Sequence, residues 1–229
     1  MQPATVSPDG GRGSPGAALP VNGWILFAFV SALYIGVAFV AREFVFTEQL
    51  YYNTYGERLA GDRIRELIAI RDRYAWVGYV LTPLFLALRV AYAALCLSVG
   101  AILAEYREMS YRRLFKAALL CEGVFFLQST ANTVWNAAVA APDTFREAQT
   151  ALPTSAAALF DPSGLPRWAL YPLRALNLYE GLYVVALSGT LAWMFGRDWG
   201  RTSSLALASY GVGLLLWISA ATFFLVQIS

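Results

Sequence analysis

The apolar run from Leu114 to Ala141 is long enough to cross a bilayer, yet it contains Glu122, Gln128, Ser129, Asn132 and Asn136. A carboxylate and carboxamides are costly in hydrocarbon unless they face protein or water, because lipid tails offer no hydrogen-bond partners. At about 100° per residue, Glu122, Ser129, Asn132 and Asn136 fall within about one third of the helix circumference, with Gln128 at its edge. The polar groups therefore form a stripe on an otherwise lipid-compatible helix. Such a stripe needs other membrane helices to pack against, so the chain is expected to cross the membrane several times.

The rest of the chain supplies those helices. Apolar residues make up 58% of the 229 residues and charged residues 14%, against about 45–50% and about 25% in soluble domains. The apolar sequence suffices for five spans of about 20 residues each. Their expected limits are 21–41, 76–104, 114–141, 175–195 and 205–228. The predicted fold class is all-α, a polytopic membrane helix bundle of about five transmembrane helices. Residues 1–19 are dominated by Gly, Pro, Ser and Ala and are expected to form a disordered tail. Residues 20–229 are expected to form a single membrane domain. The first apolar run is too long for a signal-peptide core, so it is read as a retained helix.

Two long connections separate the spans. In the first, Ala60, Ile64, Leu67, Ile68 and Ala75 fall on one helical face while Asp62, Arg65, Glu66, Asp72 and Arg73 take the other. This pattern fits an amphipathic helix in the membrane interface or one packed on its own membrane domain. The second, from Pro142 to Arg174, carries turn signals at Asp161-Pro162-Ser163-Gly164 and at Pro166. Pro83 is expected to kink the second span. Arg107, Arg112, Arg113 and Lys116 flank one short turn, and Arg197 and Arg201 flank the other. By the positive-inside rule these turns are cytoplasmic, which places the N-terminus in the cytoplasm and the C-terminus outside.

Depth decides which polar groups inside the membrane can meet. With about 1.5 Å of rise per residue, Glu122 lies about 12 Å in from one end of the third span and Arg89 about 18 Å in from the opposite end of the second. In a hydrocarbon layer of about 30 Å the two reach a similar level. Consecutive helices joined by a short turn are antiparallel neighbours, so an Arg89–Glu122 ion pair is expected. Either charge alone would cost about 3 kcal/mol at mid-membrane. Glu180 lies only about 8 Å from the outer end of the fourth span. It is assigned with Asn177, Asn132 and Asn136 to an outer polar layer.

The chemistry the sequence lacks is equally informative. The chain has no His, and its two Cys, Cys96 and Cys121, lie in apolar segments. That gives no metal-ligand set and no Ser–His or Cys–His arrangement. The glycines of the tail do not lie between a strand and a helix, so no phosphate loop is expected. No catalytic residue, metal or cofactor is assigned. A net charge of +2 gives no reason to expect nucleic acid as a partner.

From Trp76 onward the segment order carries a resemblance. Trp76-Val77-Gly78-Tyr79-Val80-Leu81-Thr82-Pro83 opens a span with a central basic residue, and Cys121-Glu122-Gly123-Val124-Phe125-Phe126 lies in the next. Arg167-Trp168-Ala169-Leu170-Tyr171-Pro172-Leu173, Leu176-Asn177-Leu178-Tyr179-Glu180 and Ser209-Tyr210-Gly211 follow. In this order the chain resembles a group of bacterial five-helix membrane proteins similar in outline to the Yip1-like family. The resemblance implies five helices, a cytoplasmic N-terminus and no enzymatic activity.

Together these readings predict a non-enzymatic multi-pass protein of a bacterial inner membrane, acting as scaffold or accessory subunit. Its partners would be the lipid bilayer and either another membrane protein or further copies of itself. The competing expectation is a small-solute or ion transporter subunit that uses Arg89 and Glu122.

Overall fold

The computed structural model describes residues 22–150, 154–156 and 167–228. The expected tail over 1–19 and the turn signals at 161–164 and 166 lie outside these residues. The fold is all-α, with one isolated bridge pairing Ser155 and Asn177 among the described residues. Five helical segments are long and apolar enough to cross a membrane: Gly23–Phe44, Gly61–Leu103, Tyr111–Ala140, Leu178–Phe195 and Trp199–Gln227. This makes the chain a multi-pass membrane protein in contact with lipid.

The first span, α1 (Gly23–Phe44), opens on Asn22, whose side chain accepts the Trp24 amide at 3.0 Å. A short helix α2 (Glu48–Tyr55) leads to α3 (Gly61–Leu103), a single helix of 43 residues. Here the structure departs from expectation. The amphipathic stretch is not a separate element but the N-terminal part of α3, with Ile64 and Ile68 of its apolar face buried against the protein. No helix breaker separates Tyr74 from Trp76, so the backbone ladder simply continues. It also continues through Pro83. At about 1.5 Å per residue α3 is about 65 Å long, twice the hydrocarbon thickness of about 30 Å, so its charged first third projects beyond the membrane.

That projection anchors a small cap. Ile64 and Ile68 are buried on α3, Leu50 on α2 and Ala148 on α6 (Phe145–Thr150). Phe145 packs against Phe46, Tyr51 and Tyr55, and its amide donates to Thr54 Oγ1 at 3.1 Å. Arg71 donates to the Phe46 carbonyl at 2.8 Å, and Arg42 pairs with Asp72 at 3.0 Å. The two long connections thus meet at one end of the bundle.

The third span is interrupted. It runs as α4 (Tyr111–Cys121) and α5 (Gly123–Trp135), with Glu122 at the junction, and ends in a π turn over Asn136–Ala140. Ala141, at φ 39°, closes it. Then come α7 (Arg167–Ala175) and α8 (Leu178–Phe195), which Gly196 ends at φ 58°, the left-handed geometry glycine adopts without steric cost. The fifth span is α9 (Trp199–Ala206), a π turn over Leu207–Gly211, and α10 (Val212–Ile228).

The core lies among α3, α4 and α8, where Val90, Leu97, Leu114, Leu119, Leu187 and Leu191 are fully buried. The outer helix α1 packs on α3, α4 and α5, and α10 leans on α7. Only Val30 and Ser31 of α1 are buried, so most of its apolar surface faces outward, as lipid contact requires. The start of α1 meets the side chain of Lys116, which places it at the same end as the two short turns.

Candidate functional site

Three segments converge on one intramembrane cluster. α1 brings Tyr34, α3 brings Arg89, and the junction of α4 and α5 brings Glu122. The junction supports the site locally: the Glu122 amide is shared between the carbonyls of Ala118 at 3.2 Å and Leu119 at 3.3 Å. Its carboxylate has no exposed surface, while Arg89 keeps 44% of its side chain exposed.

The two groups form a forked ion pair. Arg89 Nη2 donates to Glu122 Oε2, and Nε donates to Oε1 at 3.2 Å. The second pairing residue is Tyr34. Its hydroxyl accepts from Arg89 Nη2 at 2.8 Å and donates toward Glu122 Oε2 at 3.3 Å. The guanidinium also lies over the Phe125 ring at 4.5 Å and near the Tyr34 ring at 5.6 Å. These contacts compensate a charge pair that neither partner could sustain alone in hydrocarbon. The structure therefore brings Arg89 and Glu122 together and adds Tyr34, which the sequence reasoning missed. The available signal was slight: Tyr34 is the only tyrosine in the first span.

A second polar pair lies on the α8 side. Tyr210, in the π turn of the fifth span, donates to Glu180 Oε2 at 3.0 Å. Between the two pairs runs a stack of rings, with Phe125 4.7 Å from Tyr183 and Tyr183 5.1 Å from Tyr210. Tyr183 is 1% exposed, and its hydroxyl has no hydrogen-bond partner among the described residues. Tyr183 and Phe125 were not expected as site residues, because apolar and aromatic positions at helical spacing read as core.

The residues expected in the outer polar layer take separate partners. Asn177 caps α8, its Oδ1 accepting the Glu180 amide at 3.0 Å, and its amide group donates back to the Ala175 carbonyl at 3.3 Å. Asn136 donates instead to the Ala148 carbonyl of α6 at 3.1 Å. Asn132 is half-buried on α5. Among the described residues no hydrogen bond joins the third-span asparagines to Asn177 or Glu180. Asn136 opens the π turn that ends the span and is turned to α6 of the cap.

Chemically, the cluster links three helices through one ion pair and a shared hydroxyl. Among the described residues no group of three or more His, Cys, Asp or Glu side chains is placed to bind a metal. No family model, curated protein or solved structure matches this chain. The Yip1-like resemblance thus rests on segment order alone.

Proposed function

We propose that this protein is a non-enzymatic membrane scaffold or accessory subunit, a five-span bundle whose Tyr34–Arg89–Glu122 clasp fixes the first three spans in register. The observation that carries this reading is the closure of the cluster. Both carboxylate oxygens of Glu122 are occupied by donors from the protein itself, and the group has no exposed surface. A carboxylate so enclosed is suited to bracing helices rather than to exchanging ligands with either side. The orientation that accompanies the proposal has the two short turns in the cytoplasm, as in a bacterial inner membrane.

A transporter reading draws support from a different observation, the line of groups from Glu122 through Phe125, Tyr183 and Tyr210 to Glu180. Proteoliposomes separate the two readings. A scaffold gives no proton or ion flux above that of empty vesicles, and it migrates from native membranes in a complex larger than its own 25.1 kDa. Flux that Glu180→Gln or Glu122→Gln abolishes, with the protein still inserted and folded, would overturn the scaffold proposal.

A further inference from the structure

A groove of about 880 Å³ runs between α3 and the fifth span. Leu95, Val99 and Leu103 form one wall, and Leu205, Val212 and Leu216 form the other. Its floor is set by close helix approach. A Cβ placed on Gly100 would come within 2.5 Å of Ser209 Cβ, and one on Gly213 would collide with Cys96 Sγ. Small residues, Ser204 and Ala208, leave the space above that floor open.

The groove carries charged side chains at one end only. Arg201, Asp198 and Tyr106 line its mouth beside the short turns. From Ala104 at that mouth to Tyr92 at the far end is twelve residues of α3, about 18 Å at about 1.5 Å per residue. One leaflet of a hydrocarbon core of about 30 Å is about 15 Å deep. The groove therefore spans a leaflet, with its charged end where lipid headgroups lie.

Charge selects among the lipids of that leaflet. Two basic residues near the mouth are engaged: Arg197 with Glu108, and Arg113 with the Met194 carbonyl at 2.8 Å. Arg201 is exposed and makes no hydrogen bond or ion pair among the described residues. Asp198 shares the mouth, but its Oδ2 accepts the Gly200 amide at 2.9 Å.

We propose that this groove is a binding site for one anionic phospholipid, an acyl chain lying between α3 and the fifth span with the phosphate on Arg201. Native mass spectrometry of the detergent-solubilised full chain, titrated with phosphatidylglycerol and phosphatidylcholine, tests it. The wild type should retain one phosphatidylglycerol about five-fold more strongly than phosphatidylcholine, the preference one basic residue confers at an anionic surface. Arg201→Gln should erase that preference. Arg107→Gln, exposed on the same side but outside the groove, should leave it intact. Ala208→Trp should fill the groove and release both lipids, with Ser204→Leu as a second blocking variant should the first fail to fold. Equal retention of the two lipids, equal loss in Arg107→Gln and Arg201→Gln, or unchanged retention in a folded blocking variant would overturn the proposal. So would a dimer that a blocking variant dissociates, since the occupant would then be a second copy of the chain.

Discussion

At the scale of residues, the two halves of the ion pair are not equivalent. Glu122 has no exposed surface, whereas Arg89 has 44%. Arg89→Leu strands a carboxylate in the core and should cost about 3–5 kcal/mol, the usual penalty for breaking a buried pair from one side. Glu122→Leu strands the guanidinium instead, which keeps the Tyr34 hydroxyl and the Phe125 ring as partners, so it should cost less. Tyr34→Phe keeps the ring against Phe126, 6.0 Å between centroids, but removes a hydroxyl shared by both charges. Its expected cost is about 1–2 kcal/mol, read as a lower unfolding temperature in nanodiscs. The pair was legible in the sequence because charges in apolar runs are few and depth follows from residue counts. Tyr34 was not, because an aromatic ring is equally at home against lipid, and nothing in its spacing marks the hydroxyl. The partner of Asn136 was not legible, because it lies on α6 in a connection whose packing the helical stripe does not encode.

At the scale of elements, helix positions were legible and helix irregularities were not. The spans follow from apolar length. The break at Glu122 and the two π turns depend on tertiary packing, which no local pattern encodes, whereas the fusion of the amphipathic stretch into α3 follows from the lack of a helix breaker before Trp76. The π turn at Leu207–Gly211 adjoins the closest approach of α3 and the fifth span. There Gly213→Ala should lower stability, since its Cβ would collide with Cys96 Sγ. Adding Cys96→Ala should restore most of the loss, and thermal unfolding of the two variants checks the reversal. The short turns are joined by Arg197 Nε to Glu108 Oε1 at 3.0 Å. A hydrogen bond from its own backbone, then Arg197 and Arg113, hold the Glu108 carboxyl below the usual range. A depressed carboxylate stabilises the fold above its unfolded value and loses that contribution as pH falls through the folded one. Both side chains are about a third exposed or more, so the effect should stay below about 1 kcal/mol. Comparing acid unfolding of the wild type with Glu108→Gln isolates it: the variant should lack this part of the pH dependence.

At the scale of the whole molecule, five crossings put the short turns at one end and the cap of α2, α6 and the start of α3 at the other. With the short turns cytoplasmic, a membrane-impermeant maleimide added to intact cells should label a Glu57→Cys variant and spare an Arg107→Cys variant. The reverse pattern would invert the proposed orientation. The larger claim is that one buried ion pair holds the first three spans together. Its most direct test is a double-mutant cycle on Arg89→Leu and Glu122→Leu, with unfolding free energies measured in lipid nanodiscs. We expect a coupling of about 1–3 kcal/mol and a double variant more stable than Arg89→Leu alone. Single costs that add to within about 0.5 kcal/mol would contradict the clasp.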